Sequence, residues 1–73
     1  MNISLRQLRV FVAVAEALSF TRAGDALGLP QSSVSTQLRE LEDTLGLRLF
    51  DRHTRMLRLT EAGAEILPLA HKT

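Results

Sequence analysis

Seventy-three residues with a formal net charge of +1 and no cysteine make at most one small domain, with neither a disulfide framework nor a cysteine-based zinc site to support a limited apolar core. Packed helices or a partner chain must supply that support. The longest apolar runs are only a few residues, and Met1 to Phe11 already contains Arg6, Gln7 and Arg9; neither a membrane span nor a secretory signal is predicted, and a reducing, cytoplasmic compartment is the natural reading.

In chain order, Ser4 and Gln7 have the spacing of a capping box ahead of Leu8, Phe11, Val12, Ala15 and Leu18, which predicts a first helix from about Leu5 to Leu18. Its other side carries Ile3, Val10 and Val14, a second apolar stripe that something must cover. Ser19 is a suitable N-cap for a short second helix, Phe20 to Leu27, with Phe20, Ala23 and Leu27 inward and Gly24 allowing close backbone approach. Gly28 stops that helix in the left-handed position, Leu29 packs back, and a tight turn between crossed helices follows.

Pro30 fits the first turn of a third helix running to about Leu45 and ending at Gly46. Val34, Leu38, Leu41 and Leu45 form its narrow apolar stripe, while Ser32, Thr36, Arg39 and Asp43 project from the opposite side. Leu47 and Leu49, then Leu57 and Leu59, alternate with Arg48 and Arg58, which predicts a small hairpin tipped by Arg52, His53, Thr54 and Arg55. Thr60 caps a fourth helix from Glu61, with Ala62, Ile66, Leu69 and Ala70 on one side as cover for the spare stripe of the first. Pro68 lies inside it, and the chain ends with no helix-stop signal.

Charge is distributed in blocks. Arg6, Arg9, Arg22 and Arg39 outweigh Glu16 and Asp25 before residue 40; Glu40, Glu42 and Asp43 outweigh Arg48 over 40–50; Arg52, Arg55 and Arg58 outweigh Asp51 over 51–60. A nearly neutral chain can thus present a basic face locally, although ordinary solvated surface charge fits the same pattern. The third helix has an outward N-terminal half of Gln31, Ser32, Ser33, Ser35 and Thr36 and an acidic C-terminal half. Free N–H groups and the positive dipole end favour phosphate at the former, small hydroxyls permit close approach, and a glutamine amide has the geometry for bidentate contact with adenine. A solvated helix face accounts for the same serines. Arg52, His53 and Arg55 form a compact basic probe for a minor groove or phosphates, with the alternative that Arg52 pairs with Asp51 or an acid of the third helix. His53 and His71 have no partners at metal-ligand spacing, and no phosphate loop or nucleophile elbow is found, so neither a metal or cofactor nor an enzyme is expected.

The stretches LRQLRVFVAVAEALSFTRAGDALGL, QSSVSTQLRELEDTLGLRLFDR and LRLTEAGAEIL resemble, in order and over nearly the whole chain, the N-terminal DNA-binding domain of LysR-type transcriptional regulators. The resemblance implies a mainly α fold. Residues 3–60 would form a winged helix-turn-helix of three helices and a short β-hairpin wing, the helix-turn-helix over about 20–40 and the wing over about 47–59. Residues 61–73 would begin a linker helix that pairs two subunits. It further implies that Gln31, Ser32, Ser33 and Thr36 face the major groove, that Ser35 and Thr21 approach phosphate, and that Arg55 reaches the minor groove. Arg39, Arg52, His53 and Thr54 complete the candidate set.

The implied partners are a pseudo-palindromic duplex operator and a second copy of the chain, with higher oligomers and a small-molecule effector reserved for a full-length protein with a C-terminal domain absent here. Such a protein works in the bacterial cytoplasm, at the nucleoid. The rival expectation is a helical protein-interaction module that uses Ile3, Val10 and Val14. The chain departs from the family pattern where Pro30 replaces a common capping serine, Ser32 a common proline, Thr36 a common arginine and Met56 a common wing glycine.

Overall fold

The computed structural model describes residues 3–53 and 56–71. Among these, helices α1 (Leu5–Ala17), α2 (Phe20–Leu27) and α3 (Gln31–Leu45) precede a hairpin of strands β1 (Phe50–Asp51) and β2 (Arg58–Leu59), and helix α4 (Glu61–His71) closes the fold. The strands are antiparallel, with Phe50 opposite Leu59 and Asp51 opposite Arg58.

Local chemistry sets the helix ends. The capping box forms in both directions, Gln7 N–H donating to Ser4 Oγ (3.1 Å) and Ser4 N–H to Gln7 Oε1 (3.3 Å). Ser19 Oγ accepts from Arg22 N–H at 3.2 Å. Gly28 (φ +70°) and Gly46 (φ +67°) adopt the left-handed conformation that the predicted stops required. Pro30 stands one residue ahead of α3 as its N-cap, without a side-chain cap bond, instead of inside the first turn.

The core contains Val10, Phe11 and Val14 of α1, Ala23 of α2, Val34, Leu38 and Leu41 of α3, then Leu49, Phe50 and Ala70. The second stripe of α1 is covered inside the fold, with α4 packed against α1 as expected, while Leu18 departs from the first stripe. Val10 and Val14 are fully buried, Ile3 is half-buried, and Leu18 is 46% exposed. No stripe containing Val10 and Val14 is therefore left for a partner helix. α1 is apolar on both sides because it packs against α2, α3 and α4 at once. Phe11 meets Phe50 edge to face, with ring centroids 5.7 Å apart, and so ties α1 to the hairpin.

Two further expectations shift. Leu47 lies outside the strands and is 44% exposed, because its N–H is committed to the carbonyl of Glu42 (3.2 Å) at the end of α3. In α4 the helix runs through Pro68 to His71, but Leu69 is 65% exposed and the inward face is Gly63, Ile66, Leu67 and Ala70. Gly63 accounts for the rotation, since a Cβ there would collide with the carbonyl of Leu49 and the Leu59 side chain. Thr60 caps α4 as expected, its Oγ1 accepting from Gly63 N–H at 3.0 Å and donating to the carbonyl of Arg48.

The crossing of α2 and α3 depends on Gly24. A Cβ at this position would lie 2.5 Å from the carbonyl oxygen of Leu29, whereas one at Gly28 would meet nothing within 4 Å. Gly24→Ala should therefore destabilise the fold by steric strain of about 1–3 kcal/mol. Gly28→Ala should cost about 1–2 kcal/mol through its left-handed backbone alone. Urea midpoints at unchanged slope measure both, and a Gly24→Ala chain as stable as the parent would contradict the close crossing.

Candidate nucleic-acid interface

The turn closed at Gly24 and Leu29 brings the start of α2 beside the start of α3. Thr21 Oγ1 donates to Gln31 Oε1 at 3.4 Å, so two candidate residues ten positions apart share one surface. Gln31, Ser32 and Thr36 are exposed there, and Ser33 and Ser35 are half-buried at its edges. Ser32, Ser33, Thr36 and Gln37 line one shallow hollow on this end of α3. Gln37 was not among the predicted site residues; the signal for it is its position one turn after Ser33, next to Thr36. Arg39 is exposed one turn further on, where it lines a separate depression with Asp43 and Arg48.

The far end of α3 differs from its sequence reading. Glu40 and Asp43 are exposed, but Glu42 turns inward and is 4% exposed. Its Oε2 accepts from the backbone N–H of Leu49 (2.8 Å) and Phe50 (3.4 Å), and its Oε1 from Arg52 Nη2 (2.9 Å). Glu42 is thus the anchor of β1, a role the sequence reading missed. Of the alternatives open for Arg52, pairing with an acid of the third helix is the one found. Its guanidinium also lies over the Phe20 ring, 5.6 Å from the centroid. Arg52 is therefore turned back toward the helices, while His53 is exposed and its N–H donates to Asp51 Oδ1 at 2.9 Å. Thr54 and Arg55, the remaining predicted tip residues, lie outside the described residues, as do Lys72 and Thr73 of the predicted linker segment.

A neutral, hydroxyl-rich helix start, a helix-turn-helix crossing and an anchored hairpin now stand together. The family model for bacterial regulatory helix-turn-helix proteins of the lysR family matches residues 5–64. The chain belongs to the LysR family.

Among its relatives, an uncharacterized HTH-type transcriptional regulator, YfeR of Shigella flexneri, is 54% identical over 66 residues, 90% of this chain and 21% of that protein. The RuBisCO operon transcriptional regulator of Allochromatium vinosum is 56% identical over 66 residues, again 90% of the chain and 22% of the relative. The chain thus spans about a fifth of the length of these curated relatives. Among solved structures, the BenM DNA-binding domain in complex with catB site 1 DNA superposes with a TM-score of 0.92 at 41% identity, covering 96% of this chain and 79% of that one. DarR of Vibrio fischeri in complex with DNA gives 0.94 at 30% identity, covering 99% and 25%. The LysR-family winged helix-turn-helix expected from the sequence is the fold observed, four helices with a two-stranded hairpin.

In this LysR-family domain the buried Glu42 carboxylate anchors the base of the hairpin to α3. Glu42→Ala would leave the Leu49 and Phe50 N–H groups without their acceptor and Arg52 without its partner. The expected loss of stability is about 2–3 kcal/mol. Alanine at exposed Glu40 or Asp43 should stay within about 0.5 kcal/mol. Thermal unfolding of the three variants checks the contrast, and equal effects at all three positions would contradict the anchoring role.

Proposed function

We propose that this chain is the sequence-specific DNA-binding domain of a LysR-type transcriptional regulator. The first turn of α3 enters the major groove, and the hairpin approaches the flanking minor groove. The observation that carries this reading is the polarity of α3. Its N-terminal end is uncapped by any side chain and exposes Gln31, Ser32 and Thr36, while the exposed acids Glu40 and Asp43 sit toward the other end. Phosphate is attracted to the first and repelled by the second, which sets one orientation on the duplex. Gln31 and Thr36 then meet base edges with Ser32 and Ser33. Thr21 and Ser35 approach phosphate, Arg39 extends the contact along the backbone, and His53, Thr54 and Arg55 serve the hairpin side. That related BenM and DarR proteins have been solved in complex with DNA supports the DNA-binding reading.

The domain works as half of a dimer on a pseudo-palindromic operator, with α4 as the start of the linker helix that pairs the subunits over 61–73. Effector binding and higher assembly belong to the full-length regulator in the bacterial cytoplasm. Among the described residues no helix is long and apolar enough to cross a membrane, and the relatives named above are transcriptional regulators.

Selection of bound duplexes from a random pool tests specificity and pairing together. An enriched inverted repeat is expected, with affinity that falls steeply as salt rises. A lone enriched half-site would remove the dimer, and no enrichment at low salt would remove the DNA-binding reading. On the enriched duplex, Gln31→Ala should cost about 1–3 kcal/mol at one or two base positions and relax specificity there. A uniform loss over all sequences would reassign Gln31 to phosphate.

A further inference from the structure

We infer that Glu42 and Arg52 are positioning residues for DNA reading: their ion pair, seated on the Phe20 ring, couples the placement of the hairpin to the placement of the recognition helix. The inference rests on the DNA-binding reading above. Three elements meet at this point. Phe20 is the first residue of α2, Glu42 lies in the last turns of α3, and Arg52 follows β1. The two oxygens of one carboxylate hold both sides of β1, the backbone N–H groups of Leu49 and Phe50 where the strand begins and the Arg52 guanidinium where it ends. The planar guanidinium is set in direction by that Glu42 Oε1 contact and in tilt by the Phe20 face. Phe20 is followed by Thr21, whose hydroxyl bonds to Gln31 at the tip of α3. A shift of the hairpin base is therefore also a shift against the surface that carries Thr21 and Gln31.

Burial separates this role from a direct DNA contact. Glu42 is 4% exposed and carries the wrong charge to touch a phosphate, so any effect of changing it on DNA binding acts through other groups. The Arg52 side chain is 31% exposed, and a direct phosphate contact by Arg52 has its own signature: a uniform loss of affinity and a salt dependence reduced by about one counterion. Positioning predicts a different pattern, a loss concentrated on the sequence that flanks the half-site, with the same salt slope for a change at Glu42 as for one at Arg52.

The test uses two duplexes selected by the unmodified chain, one with its flanks and one trimmed to the half-site core. Glu42→Gln keeps size and one acceptor. Arg52→Met keeps the stem over Phe20 and leaves the Glu42 bonds to the backbone in place, so it remains informative should the glutamine variant fail to fold. Each variant, and the two combined, should lose about tenfold in affinity for the flanked duplex and about twofold or less for the trimmed one. The double variant should fall no further than either single one, and the two single variants should share one salt slope. Arg52→Lys, which restores charge without the planar fork, should recover only part of the loss. Equal losses on both duplexes, additive losses in the double variant, or a salt slope reduced for Arg52→Met but not for Glu42→Gln would each overturn the coupling. An unmodified chain that retains no duplex overturns the DNA-binding reading itself before any variant is made.

Discussion

A carboxylate inside a domain of this size is tolerated only if its oxygens are met by donors, and the Glu42 side chain is met by three. Much of the fold follows from that requirement. The α3 helix must end close enough to its Gly46 cap for the chain to return past Glu42, and the backbone at Leu49 and Phe50 must present its N–H groups inward. The Leu49 carbonyl then points the other way, where Thr60 N–H takes it at 3.0 Å and Gly63 lets α4 cross directly over it. Helix end, hairpin base and the start of α4 are joined through residues 48–50, and the Phe11–Phe50 ring contact attaches this junction to the central helix.

The same pair changes the electrostatic reading of the surface. In sequence, an acidic block over 40–50 separates two basic ones. In the fold, Glu42 and Arg52 satisfy each other, and the acidic face of α3 is reduced to Glu40 and Asp43. The exposed start of α3 gains relative weight as the place where an anion is welcome. The surface charge follows from the structure through a subtraction: one cation and one anion, counted as surface charge in the sequence, hold the hairpin.

Local rules were readable in the residues because they need only near neighbours. The capping box at Ser4 and Gln7, the N-cap Ser19, the stops at Gly28 and Gly46 and the cap at Thr60 all formed as their side-chain and backbone chemistry required. The face of α1 was harder to read in that way, because apolar residues fill all but the narrow exposed side of Arg6, Arg9 and Glu16 in a helix packed against α2, α3 and α4. Glu42 was hidden for a different reason. Adjacent Glu40, Glu42 and Asp43 look alike as an acidic run, and only the angular position of Glu42, about 40° from Leu38 at the margin of the apolar stripe, marked it as different. Gly63 shares the helical spacing of Ile66, Leu67 and Ala70 but adds no apolar side chain to the pattern, since its role is the absence of a Cβ against Leu49 and Leu59. Of the candidate site, the α3 surface and Thr21 came together in space, whereas Arg52 separated from the hairpin tip for a reason that required Glu42 to be seen inside.

Through Glu42, the hairpin base and α3 should move as one body. Native-state hydrogen exchange at the amides of Leu49 and Phe50 measures this directly, because their protons are the ones Glu42 holds. Both should exchange only through global unfolding, with the same free energy as the core amides of Leu38 and Leu41 in α3. Exchange at much lower free energy, through an opening that leaves α3 protected, would show the hairpin base to be independent of the helix and would contradict the account.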